Sequence, residues 1–392
     1  MPGLKRPTAV RILLSLNTAK PFVLNLNILV QLLIVDMLFS QMETIVRHQM
    51  TISEMVPIRR SSAAGPQIAD AGEEIMTARQ QLIGGGHSAL TGAAIIAALV
   101  MPALAQTPAG IPGVLAQGAA LELVQEGYVF TEGPVATADG GLYFSDIRVS
   151  KTYFLDPGGK ISVAREGTNG GNGLALTRDG ELLFAEGDGK RITKRNRDGT
   201  ITVLTEGPPS VPLLAPNDLI VDAKGGIYFT DPGPRPVVPG RPTYVYYLPA
   251  GTKTPILIDG TVPRPNGLTL TNDGKTLIVD DTLNPTVFAY DVQPDGSVKN
   301  KRPFTQLRDI PAGSESGADG IAIDRDDRVY VTTVTGVQVF DAKGQYLGTI
   351  KIARQPANAA FAGADKQTLY ITAREGLYRV RTLAKGADRL GK

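Results

Sequence analysis

The chain has 392 residues, 42% of them apolar, and a formal net charge of +2. That is enough for one large globular domain, without the basic field that would draw it to nucleic acid or an anionic membrane. Cysteine is absent, and the only two histidines, His48 and His87, precede the repetitive region described below, so disulfides, thiolate nucleophiles and zinc–sulfur sites are excluded there.

Residues 1–75 read as a mis-assigned N-terminal extension. Pro21–Phe39 is apolar, but Asn25, Asn27, Gln31 and Asp36 interrupt it where a membrane span disfavours polar side chains. Residues 76–105 carry the pattern of a secretory signal peptide: Met76, the basic Arg79, an apolar run from Ala89 to Leu104, and Ala103-Leu104-Ala105 before Gln106. The run is too short to span a bilayer comfortably. Cleavage after Ala105 is expected to release residues 106–392 into the periplasm or the medium, with no stable membrane insertion. Residues 106–120 read as a linker and 383–392 as a polar tail.

Between them, residues 121–382 repeat. A polar residue, a short apolar strand, a turn and a second apolar strand recur six times, starting at Glu132, Asn172, Asn217, Asn266, Asp319 and Asn358. The second strands are GLYFSDI, ELLFAEG, GIYFTDP, KTLIVDD, RVYVTTV and TLYITAR. A spacing of about 40–50 residues is that of a four-stranded propeller blade. The second copy shows all four strands, with hairpin turns at Asp179-Gly180 and Asp198-Gly199, where both residue types tolerate positive φ. The reading is an all-β, six-bladed β-propeller. The sixth copy has only three strands, and Leu121–Gly127 resembles the fourth strands of other copies. This N-terminal strand is therefore expected to complete the last blade beside Gly376–Arg381, leaving no open junction in the ring.

The polar residue always sits just before the blade's first, innermost strand, so the six positions converge on one mouth of the central channel. Any single Asn there could serve a turn. As a set they include two carboxylates, Glu132 and Asp319, which would repel each other unless a cation sat among them. Without His or Cys, the expected cofactor is one divalent ion held by oxygen, Ca²⁺ or Mg²⁺, with Ca²⁺ the better fit because its coordination is larger and accepts neutral amides.

At these residues the sequence resembles the SMP-30/gluconolactonase/LRE-like family of six-bladed propellers, through EGPVATADGGLYFSDI, APNDLIVDAKGGIYFTDP, RPNGLTLTNDGKTLIVDDT and GADGIAIDRDDRVYV. The resemblance implies an axial divalent cation and hydrolysis of sugar-type lactones. It implies Glu132, Asn266 and Asp319 as metal ligands, Asn217 as a fourth ligand or substrate contact, and Asp319 as the catalytic carboxylate. Asn172 and Asn358 join Asn217 as expected substrate contacts. Some members carry Arg two residues before the third-blade Asn; here that position is Ala215, so their substrate preference does not transfer.

The expected activity is metal-assisted opening of a lactone, with the cation polarising the carbonyl and Asp319 as general base. The alternatives are a non-enzymatic propeller that binds a ligand or protein around a structural calcium, and a hydrolase of organophosphate-type esters. Val211–Ala215, Arg235–Arg241 and Gly313–Gly317 are expected to overhang the mouth, with Arg235, Arg241 and Arg264 as candidate anion or hydroxyl contacts. The glycine-rich Gly167–Gly173 opens no predicted helix and is no dinucleotide fingerprint.

Overall fold

The computed structural model describes residues 110–388, so the extension 1–75 and the signal peptide 76–105 lie outside the described residues. The described chain folds into six four-stranded antiparallel sheets, each a propeller blade, with one short 3-10 turn at Ile147–Val149. Blades 1 to 5 use consecutive strands. Their inner strands are Thr131–Ala136, Gly171–Leu176, Leu219–Val221, Pro265–Leu270 and Ile321–Ile323. Blade 6 takes three strands, Asn358–Ala362, Thr368–Ala373 and Gly376–Arg381, from the end of the chain. Its fourth is Leu121–Glu126, antiparallel to Gly376–Arg381 with Leu121 opposite Val380 and Glu126 opposite Gly376. The expected closure is therefore present. Arg379–Glu122 at 2.7 Å and Arg354–Glu126 at 2.6 Å flank it. Among the described residues no helix is long and apolar enough to cross a membrane.

The period-2 alternation of each strand explains the ring. In Ile227–Asp231 of blade 3, Ile227 and Phe229 pack against Leu183 and Ile192 of blade 2. Tyr228, between them, packs toward Leu268 and Leu277 of blade 4. Every sheet thus buries both faces, and six apolar clusters fill the six seams between blades. A hydroxyl on the second strand of a blade then latches a carbonyl of the next. Ser145 Oγ donates to Asn172 O at 2.8 Å, Thr230 Oγ1 to Asn266 O at 2.7 Å and Thr332 Oγ1 to Ala357 O at 2.8 Å. Three of the six ring positions are fixed this way, directly or through the preceding residue.

Two stretches differ from expectation. Residues 110–119, expected within a linker, turn back on themselves through an Ile111–Leu115 bridge. Ile111, Val114 and Leu115 are buried in the seam between blades 5 and 6. The start of the expected polar tail also packs: Gly386 bridges Asp324, and Ala384 and Ala387 are buried. Apolar residues too sparse to form a strand pattern suffice here because they cap a hydrophobic seam that is already built.

Candidate active site at the channel mouth

Inner strands run away from the mouth, so the loops entering each blade and those joining its second and third strands all surround it. A repeated acid shapes these loops. Asp146, at the end of the second strand of blade 1, accepts from the backbone N–H groups of Val129 and Phe130, both at 2.9 Å. Asp231 does the same for Leu214 and Ala215, at 2.8 and 2.7 Å, and Asp281 for Arg264 at 3.1 Å. Burial pushes the Asp231 and Asp281 carboxyls above their usual range, and these backbone donors oppose it. The equivalent Glu186 binds Arg165 at 2.6 Å and Arg191 at 2.7 Å, which outweigh its burial and hold it low. The terminal acids of YFSD, LFAE, YFTD and IVDD are therefore scaffolding.

The preceding ring residues form the centre. Glu132 and Asn266 are buried within their inner strands, and Asp319 sits just before its own, partly open to the mouth. The backbone is tight here. A Cβ on Gly133 would come 2.1 Å from Asn172 O, and one on Gly267 2.0 Å from Asp319 O. Glycine after the ring residue lets neighbouring inner strands approach this closely.

The structure brings Glu132 and Asp319 into hydrogen-bond contact through their side chains. Burial raises the Asp319 carboxyl to about 7; Asp280 and, more weakly, Asp218 push the same way, and Arg374 opposes them. Two carboxyls this close share a proton or require a cation. Around them, the side-chain oxygens of Asn172 and Asn266 are buried with no hydrogen-bond partner among the described residues. Asn266 donates its amide nitrogen to Thr282 Oγ1 at 3.2 Å, which distinguishes its oxygen from its nitrogen. Orphaned buried oxygens beside paired carboxyls fit a hard cation. Among the described residues no three Asp, Glu, His or Cys side chains form a metal-holding group. A cation here would need the mixed amide and carboxylate set.

Asn217 is partly exposed at the mouth, with its backbone carbonyl taking Gly173 N–H at 2.8 Å. Asn358 opens the inner strand of blade 6. It is 2% exposed, its oxygen accepts from Ala359 N at 2.9 Å, and its amide nitrogen faces Asp218 Oδ2 at 3.5 Å.

Two central carboxylates, Asp218 and Asp280, escaped the sequence reading although the repeats carried the signal. Asp218 stands where other blades have Gly133, Gly173, Gly267, Gly320 and Ala359. Asp280 stands where they have Ser145, Ala185, Thr230, Thr332 and Thr372. Asp280 accepts from Gly267 N at 3.0 Å and Asp218 from Leu219 N at 2.9 Å.

The overhanging loops are tied together. Arg264 is 6% exposed and donates to Pro232 O and Gly233 O, each at 3.2 Å. Arg235 reaches Glu315 at 2.8 Å, linking the entry loop of blade 5 to the long loop of blade 3. These two expected anion contacts are thus engaged within the protein. Arg241 instead lines a groove of about 300 Å³ with Val237, Val238, Val262 and Leu283, and none of the six ring residues lines it.

A sequence profile of the SMP-30/Gluconolactonase/LRE-like region matches residues 130–375. Among curated proteins, the chain is 26% identical over 297 residues to a gluconolactonase of Zymomonas mobilis, covering 68% of this chain and 82% of that protein. It is 31% identical over 208 residues to a lactonohydrolase of Aspergillus oryzae, covering 44% of this chain and 45% of that one. Among solved structures, a gluconolactonase of Xanthomonas campestris is 29% identical with a TM-score of 0.61, covering 68% of this chain and 90% of that one.

Proposed function

The chain belongs to the SMP-30/gluconolactonase/LRE-like family, and on that premise we propose that it is a hydrolase that opens sugar-type lactones at the channel mouth. The observation that carries this reading is the contact of Glu132 with Asp319 beside the orphaned oxygen of Asn266. Relatives named gluconolactonase and lactonohydrolase support the substrate class.

Glu132, Asn266 and Asp319, with Asn217, would hold a divalent cation, calcium by the size and neutrality of the amide donors. When bound, it supplies Lewis acidity to the carbonyl and lowers the pKa of water. Asp319 takes the proton of the attacking water, whose oxygen bonds to the carbonyl carbon. The ring C–O bond then breaks, the leaving oxygen takes up that proton, and a hydroxy acid results. Asn172 and Asn217 orient the sugar from neighbouring blades. Arg264 and the Arg235–Glu315 pair hold the loops that fence the mouth. The sequence pattern of residues 76–105 supports a leader and hence an exported enzyme.

The test is pH-stat hydrolysis of a panel of sugar and aliphatic lactones by the full chain, with and without EDTA. Turnover that stops on chelation and returns with Ca²⁺ is expected. A folded, calcium-loaded protein that opens none of them would overturn the reading in favour of a binding propeller.

A further inference from the structure

One guanidinium at the mouth has a role in neither the fencing loops nor the ring. Arg374 lies in the turn between the second and third strands of blade 6, in the left-handed region at φ 53°. Its carbonyl accepts from Thr131 N at 2.7 Å and Thr131 Oγ1 at 3.0 Å, which staples the turn to the residue beside Glu132. Its guanidinium carbon lies 4.6 Å from the centroid of the Phe130 ring, and Nη2 donates to Gln355 Oε1. The adjacent Glu375 pairs with Arg354 instead, at 3.5 Å.

Among the described residues Arg374 makes no ion pair, in contrast to Arg235 and Arg354. Its side-chain partners, a ring face and an amide oxygen, are neutral. They fix the plane of the group and occupy one of its five N–H donors. The residue is partly exposed and stands close enough to Asp319 to act on its charge. A planar donor edge held rigid by neutral groups suits a carboxylate, which takes two parallel hydrogen bonds from it.

We propose that Arg374, oriented by Phe130 and Gln355, is the carboxylate-recognising residue of the mouth and binds the acid group of the ring-opened hydroxy acid. This rests on the lactonase reading for its ligand, since hydrolysis turns a neutral ester into a carboxylate beside Asp319. It assigns Arg374 to the product more than to the substrate.

The experiment measures binding of sodium D-gluconate and of the uncharged polyol sorbitol to the calcium-loaded full chain by calorimetry, with lactone hydrolysis followed alongside. In Arg374→Gln the gluconate Kd is expected to rise about tenfold or more, with sorbitol binding unchanged. Arg374→Lys, which keeps the charge but not the fork, should fall between, and Phe130→Leu should weaken gluconate less than Arg374→Gln. Unaltered calcium affinity and thermal midpoint in these variants would show that the fold persists. Gluconate binding within about twofold of wild type in both Arg374 variants, or no binding by wild type, would overturn the proposal. Loss of sorbitol and gluconate binding in equal measure would do so too. A wild type that binds gluconate through Arg374 but hydrolyses no lactone would sink the proposed function and leave the carboxylate site standing.

Discussion

Asn358 of blade 6 reaches Asp218 of blade 3, amide nitrogen to carboxylate oxygen, at 3.5 Å. Blades 3 and 6 stand opposite in a ring of six, so this contact spans the axis rather than a seam. Both residues are buried, and the pair ties the two halves of the propeller together at the level of the site.

Asn358→Ala is therefore expected to cost stability, about 1–3 kcal/mol in urea denaturation, because Asp218 loses a partner in a buried setting. The KM for a lactone should stay within about twofold of wild type. A raised KM at unchanged stability would make Asn358 a substrate contact instead.

The contact between Glu132 and Asp319 sets a second expectation. Burial raises the Asp319 carboxyl to about 7, so the metal-free protein holds a proton there below neutral pH, and a cation displaces it. Adding CaCl₂ to chelator-treated protein in weak buffer at about pH 6 should release close to one proton per ion bound. Binding without proton release would mean that the two carboxyls are not ligands together.

Asp319→Asn should lower kcat by about 10²–10⁴ with the fold retained. It also tests the electrostatics without metal. The folded-state carboxyl sits at about 7, against an ordinary value of 3.8, because of burial first and Asp280 second. The folded state then binds the proton more tightly than the unfolded one, so metal-free wild type loses stability as pH rises from about 4 to 7. The Asn variant should lack that slope, and retention of it would place the titrating group elsewhere.

Leu115→Ala should destabilise by about 2–4 kcal/mol, since Leu115 is buried between blades 5 and 6. A change of a few tenths would fit a linker that merely rests on the surface.

The blades were legible in the sequence because each is a copy of one pattern, and a copied pattern shows its phase. That phase puts six polar residues, Glu132, Asn172, Asn217, Asn266, Asp319 and Asn358, at one mouth of the channel, and the family resemblance alone singles out Glu132, Asn266 and Asp319 among them. Asp218 and Asp280 were legible in principle, as acids in columns of small or hydroxyl residues, but the blades had to be compared column by column. Arg374 left no such trace. Its place depends on a turn of blade 6 docking against Thr131, two ends of the chain that no local pattern relates. Residues 110–119 carry no local signal of their packing for the same reason, as Ile111 and Leu115 acquire a partner only once blades 5 and 6 stand side by side.

The strand Leu121–Glu126 has its partner at Gly376–Arg381, and this imposes an order of events on synthesis. A chain emerging from its N-terminus carries that strand, edge exposed, through the making of five blades and most of the sixth. Any product halted before residue 376 keeps the strand unpaired and an unsealed seam, whatever the condition of its inner ring. Completeness of the polypeptide is thus checked by the fold itself, and truncated chains present a sticky edge that intact ones have hidden.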